Sequence, residues 1–76
     1  MREMQYRYAL LKTTFDSIES FGIAVVCDCD GGSILIDTYS DISFDWERIV
    51  TLIEQCNSEE LDPIHLPDVV EDFLIS

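Results

Sequence analysis

Apolar and polar side chains alternate along the first third of the chain. From Met4 to Lys12, Met4, Tyr6, Tyr8 and Leu10 fall on one face of a period-two pattern and Gln5, Arg7 and Ala9 on the other, which predicts a β-strand. Phe21, Ile23, Val25 and Cys27 alternate with Gly22, Ala24 and Val26, so a second strand is apolar on both faces, as the central strand of a sheet is. Between them, Thr13 to Ser20 carries Asp16-Ser17 and Glu19-Ser20 as turn material, with Phe15 and Ile18 expected beneath the loop. Asp28-Cys29-Asp30-Gly31-Gly32 marks the next turn, because Gly supplies the positive φ of a hairpin and Asp bonds its own backbone there. A third strand runs from Ser33 to about Tyr39, with Ile34 and Ile36 on one side and Leu35, Asp37 and Tyr39 on the other. The charge at Asp37 suits an edge or a solvated face.

The period then changes to that of a helix. Trp46, Ile49, Val50, Ile53 and Cys56 recur at the spacing of one buried stripe, with Ser43 as the expected N-cap and Asp45 and Glu47 in the first turn, where the helix dipole favours negative charge. Asn57-Ser58 is the expected stop. Pro63 and Pro67 divide the remainder into a turn and a short last helix, since proline fits a first turn and not an interior. Leu66, Val69, Val70 and Phe73 form its apolar side, opposite Asp68, Glu71 and Asp72. The expected fold is therefore α+β, a small antiparallel three-stranded sheet followed by two helices packed on one face, in the order β-β-β-α-α. A single domain over residues 1–76 is expected from the length. Ala24, Val26, Leu35 and Tyr39 are assigned to the second sheet face, which makes that face apolar enough for a homodimer.

Composition narrows the function classes. At 47% hydrophobic, with eight aromatic residues, the chain is no disordered acidic tail, yet at 76 residues its core is marginal. The longest apolar run, Ile23 to Cys27, is far shorter than a membrane span, and the interrupted N-terminus lacks a secretory signal, so a cytoplasmic location is expected. Sixteen acids against four bases leave a net charge of −12, and residues 13–76 hold fifteen acids with Arg48 as their only base. Such a surface is repelled by nucleic acid and anionic membranes and attracts basic proteins or cations.

Motifs that carry chemistry fail on spacing. Asp28-Cys29-Asp30-Gly31 imitates the opening of a calcium loop, but the third acidic ligand position falls on Gly32, the sharp-turn glycine position on Ser33 and the closing glutamate position on Tyr39, so it reads as a hairpin turn. Cys27, Cys29, Cys56 and His65 offer the donor types of a Cys₃His zinc site without its spacing, and read as core thiols and a turn histidine. An odd cysteine count in a reducing compartment predicts no structural disulfide. A Cys56–His65 nucleophilic pair lacks an orienting third group and a cleft. Carboxylates are abundant but lie on polar faces or loops, where nothing shifts their pKa for acid–base work. No enzyme activity and no cofactor are expected.

Leu61-Asp62-Pro63-Ile64-His65-Leu66-Pro67-Asp68-Val69-Val70-Glu71-Asp72-Phe73-Leu74, preceded by Leu52 and Cys56-Asn57, resembles the C-terminal signature of a family of short acidic proteins from Clostridia and relatives, known only as a domain of unknown function. Tyr6-Arg7-Tyr8, Phe21-Gly22-Ile23 and Asp41-Ile42-Ser43 are similar to it too, so the likeness covers most of the chain. The resemblance implies an intracellular bacterial or phage origin and supplies no catalytic residue.

The acidic surface is then the candidate site. Asp68, Glu71 and Asp72 form an i, i+3, i+4 carboxylate cluster, and Glu54, Glu59, Glu60 and Asp62 lie near it along the chain. Carboxylates on a rigid helix pair can copy the charge spacing of a phosphate backbone and occupy an Arg/Lys-lined groove. The expected function is a non-enzymatic module that binds a basic protein, such as a nucleic-acid-binding enzyme, as inhibitors of nucleases and CRISPR effectors do. Alternatives are a dimeric structural or regulatory protein that uses the apolar sheet face, and a small metal-binding module.

Overall fold

The computed structural model describes residues 5–75. Three strands, β1 (Gln5–Phe15), β2 (Ile18–Cys29) and β3 (Gly32–Ser43), form an antiparallel sheet in the order β1-β2-β3. They are followed by α1 (Trp46–Ser58), a 3₁₀ turn (Pro63–His65) and α2 (Leu66–Ile75). The expected α+β order and the central place of β2 are what the structure shows. Met4, the expected start of β1, lies outside the described residues.

The loop expected over Thr13–Ser20 is instead a two-residue hairpin turn. Asp16 (φ 51°) and Ser17 (φ 68°) both take the left-handed conformation of a type I′ turn, which matches strand twist and lets pairing continue to Phe15 and Ile18. Phe15 is consequently 81% exposed rather than tucked beneath a loop, and Ile18 is exposed with it. The β2–β3 turn is also shorter than expected, reducing to Asp30-Gly31 with Gly31 at φ 93°.

Two irregularities decide the faces of β3. One extra residue, Ile36, sits between the pairs Val25–Asp37 and Val26–Leu35, so Ile34, Asp37 and Tyr39 share a face and Leu35 takes the other. Tyr39 therefore pairs with Ile23 and packs against the core, which corrects its assignment to the second sheet face. The second irregularity lies between Phe21–Ser43 and Ile23–Tyr39, where Asp41 is left-handed at φ 57° and the Ser20 hydroxyl donates to its carboxylate. Here β3 presses against Gly22, at which a Cβ would lie 1.9 Å from the Tyr39 carbonyl oxygen.

Both helices cover one sheet face. The core joins Tyr8, Ile23 and Val25 of the sheet to Ile49, Ile53 and Cys56 of α1 and Leu66 and Val70 of α2. Burying such side chains contributes about 1.5–3 kcal/mol each. Trp46, expected in the buried stripe, is 52% exposed at the helix start. Asp45, rather than Ser43, is the N-cap: its carboxylate accepts from the Glu47 and Arg48 amides, and the Ser43 hydroxyl accepts from the Asp45 amide. At the other end the Leu61 amide donates to the Cys56 carbonyl and the Glu60 amide to the Asn57 carbonyl, a Schellman motif with Glu60 at φ 50° in the position usually held by Gly.

Asn57 then joins α1 to the sheet edge. Its side-chain amide accepts from the Tyr8 N–H (2.9 Å) and donates to the Tyr8 carbonyl (2.9 Å), as a neighbouring strand would. The Tyr8 hydroxyl donates to the Leu61 carbonyl at 2.5 Å. Burial pushes the Tyr8 phenol up to about 12, with the Cys56 thiol and Asp62 acting in the same direction. An unfolded tyrosine ionises near about 10, so this contribution to stability is complete below that pH and is lost as pH rises toward the folded value. Melting measured between neutral and strongly alkaline pH should fall across this window. In Tyr8→Phe the alkaline loss should shrink, at a cost of about 1 kcal/mol at neutral pH for the missing hydrogen bond. An unchanged alkaline profile in the variant would assign the effect to other groups.

Candidate partner-binding surface

The seven carboxylates singled out in the sequence are all exposed and all belong to the helical layer and its connection. Glu54 is exposed on α1, on the same helix stripe as Glu47. Glu59, Glu60 and Asp62 follow one another through the α1–α2 connection, whose course is set by the left-handed Glu60. Glu59 accepts from the Gln55 side-chain amide (3.1 Å), and Asp62 caps the 3₁₀ turn by accepting from the Ile64 amide (3.1 Å). Asp68, Glu71 and Asp72 occupy the outer side of α2, opposite the buried Leu66 and Val70.

Glu60 and Asp62 also line a cleft of about 700 Å³ between the start of β1 and the α1–α2 connection, with Gln5, Tyr6, Arg7, Asp28, Asn57 and Leu61. Glu54 and the α2 carboxylates are outside it. Arg7 and Asp28 were not among the sequence candidates for this surface. The Arg7 guanidinium donates to both Asp28 oxygens (Nε 3.1 Å, Nη2 3.2 Å), and the Ser33 hydroxyl adds a third bond at 2.5 Å. Hydrogen bonds from Arg7 and then Ser33 hold the Asp28 carboxyl below the usual range, and its partnership raises Arg7. The signal was present in the turn: a two-residue loop at Asp16-Ser17 fixes Arg7 opposite Val26 and hence diagonal to Asp28 on the same face.

The three described cations are spread over the molecule. Arg7 is engaged by Asp28, Lys12 pairs with Glu19 at 2.6 Å, and the Arg48 guanidinium lies 4.5 Å above the Phe73 ring. The last contact borders a hollow of about 380 Å³ between α1 and α2, lined also by Asp45, Glu47, Thr51, Leu52 and Gln55.

Cys27, Cys29 and Cys56 are free thiols, with Cys27 and Cys56 buried and raised by that burial. His65 is exposed at the end of the 3₁₀ turn, while Cys56 faces the core. Among the described residues no three His, Cys, Asp or Glu side chains converge as a metal site would require, and no helix is long and apolar enough to cross a membrane.

The pattern of one protein family matches residues 1–76. The chain belongs to DUF6514, a family of unknown function. No curated protein and no solved structure matches the DUF6514 chain.

Proposed function

We propose that this DUF6514 chain is a non-enzymatic binding module whose acidic helical layer occupies a basic, nucleic-acid-binding groove of a partner protein. One observation carries the reading: seven exposed carboxylates lie on the helices and their connection, whereas on the opposite sheet face the described charges are the Arg7–Asp28 pair and Asp41, whose carboxylate accepts from Ser20. The backbone at Glu60 adds support. A left-handed non-Gly residue costs about 1 kcal/mol, so a carboxylate stands there where glycine would be more stable. Inhibitors of nucleases and CRISPR effectors are the class of protein this charge pattern suits. The apolar centre of the sheet face, Ala24, Val26 and Leu35, supports a second, compatible reading as a dimeric structural or regulatory protein.

The test starts from affinity capture at low salt in a native extract. Affinity for the captured partner should fall about tenfold or more between low and moderate salt, and heparin should compete with the module for the partner's groove. Charge reversal at Asp68, Glu71 and Asp72 together should abolish capture. Glu60→Gly should instead raise stability by about 0.5–1 kcal/mol while weakening capture. Salt-insensitive binding, or full binding by the triple variant, overturns the reading.

A further inference from the structure

Both edges of the sheet are interrupted as templates for another strand. On β1 the Tyr8 backbone groups that point away from β2 are already taken by the Asn57 amide. On β3 the extra residue Ile36 and the irregularity around Asp41 interrupt the regular ladder, and Asp37 and Asp41 place charge along it. Bulges and edge charges of this kind are how sheets block edge-to-edge growth. What remains open is the face away from the helices.

That face is set by the register. Arg7, Ala9 and Leu11 of β1 pair with Val26, Ala24 and Gly22 of β2, and Leu35 and Thr38 of β3 pair with Val26 and Ala24. Ala9, Leu11, Ala24 and Val26 are only half-buried and Leu35 is 60% exposed, whereas Gly22 and Ser20, farther along the same face, are buried beneath the Tyr39–Asp41 segment of β3. Charges on this face among the described residues stand at its two ends: the Arg7–Asp28 pair toward the Asp30-Gly31 turn, and Asp41, held by the Ser20 hydroxyl, at the other, so the centre carries none. For a chain of net charge −12, this is the surface at whose centre a second identical chain can approach without bringing carboxylates face to face.

We propose that the outer sheet face packs on the same face of a second copy, giving an isologous dimer with the layer order helix, sheet, sheet, helix. Ala24, Val26 and Leu35 form its centre, and the helical layers with their carboxylates lie on the two outer surfaces. The inference stands independently of what those carboxylates bind.

Sedimentation equilibrium on the wild-type chain, at concentrations into the tens of micromolar, should give twice the mass of the 8.7 kDa chain. Because the centre of the contact carries no charge and the copies repel one another elsewhere, raising salt should strengthen association several-fold, the opposite of the response expected for a basic partner. Leu35→Glu and, separately, Val26→Lys should return the mass to that of one chain, with the far-UV circular dichroism retained. Ile64→Glu, on the helical layer, should leave the dimer intact. A monomeric wild type, a dimer that weakens with salt, or a dimer insensitive to both sheet-face variants overturns the proposal.

Discussion

Gly22→Ala is expected to cost at least about 3 kcal/mol, a large part of the roughly 4–11 kcal/mol available to a domain of this length. The added methyl would sit 1.9 Å from the Tyr39 carbonyl oxygen and 3.0 Å from the Ser40 Cα, and both are backbone, so no side-chain rotation can relieve the clash. Relief requires β3 to move away from β2 at the point where Ile23 pairs with Tyr39 and the Ser20–Asp41 hydrogen bond fixes the irregular segment. Denaturant unfolding followed by far-UV circular dichroism measures the cost. The same substitution at Gly31 meets no atom within 4 Å and disturbs only a positive-φ turn, so its smaller penalty of about 1 kcal/mol serves as the comparison. A Gly22→Ala cost below that of Gly31→Ala would show that β3 shifts freely.

Asn57→Ala should cost about 2–3 kcal/mol, because it leaves both the N–H and the carbonyl of the buried Tyr8 without partners. Asn57→Asp separates the two bonds. Its carboxylate still accepts from the Tyr8 N–H but cannot donate to the Tyr8 carbonyl, and repels it instead. Folding then favours the protonated acid, so the pKa at residue 57 in the folded variant rises above its unfolded value near about 4. The variant's deficit against wild type should be small below that pH and grow as pH rises through the folded value. Melting of the two proteins compared at matched pH checks this, and a pH-independent deficit would mean that the donor half of the clamp is unimportant.

Much of the architecture was legible from short-range rules. Alternation located β1 and β2, apolar residues on both faces marked β2 as central, and the stripe of Ile49, Ile53 and Cys56 oriented α1. Pro67 in the first turn and the Leu66–Val70 spacing fixed α2. The extent of the hairpins was less legible, because Asp16-Ser17 has no glycine and its left-handed pair is enforced by the continuing ladder rather than by intrinsic preference. Trp46 misled for a related reason: it satisfies the helical period, but it lies at the first helical position, beyond the buried part of the stripe. For the acidic surface, the sequence supplied the carboxylates and their helix faces. It did not show that Glu60 and Asp62 share a cleft with Arg7 and Asp28, which lie far away along the chain.

The sequence by itself determined the element order, the central strand, the apolar faces and the charge imbalance, all of which depend on residue type and on neighbours within a few positions. Tertiary structure alone decided which face of β3 is which, since one additional residue at Ile36 inverts the alternation and carries Tyr39 into the core. It also decided that Asn57 acts as the missing neighbour of β1 and that Gly22 is the point of closest backbone approach. These are contacts between segments 17 to 49 residues apart, and no local pattern encodes a contact that exists only once the chain has closed upon itself.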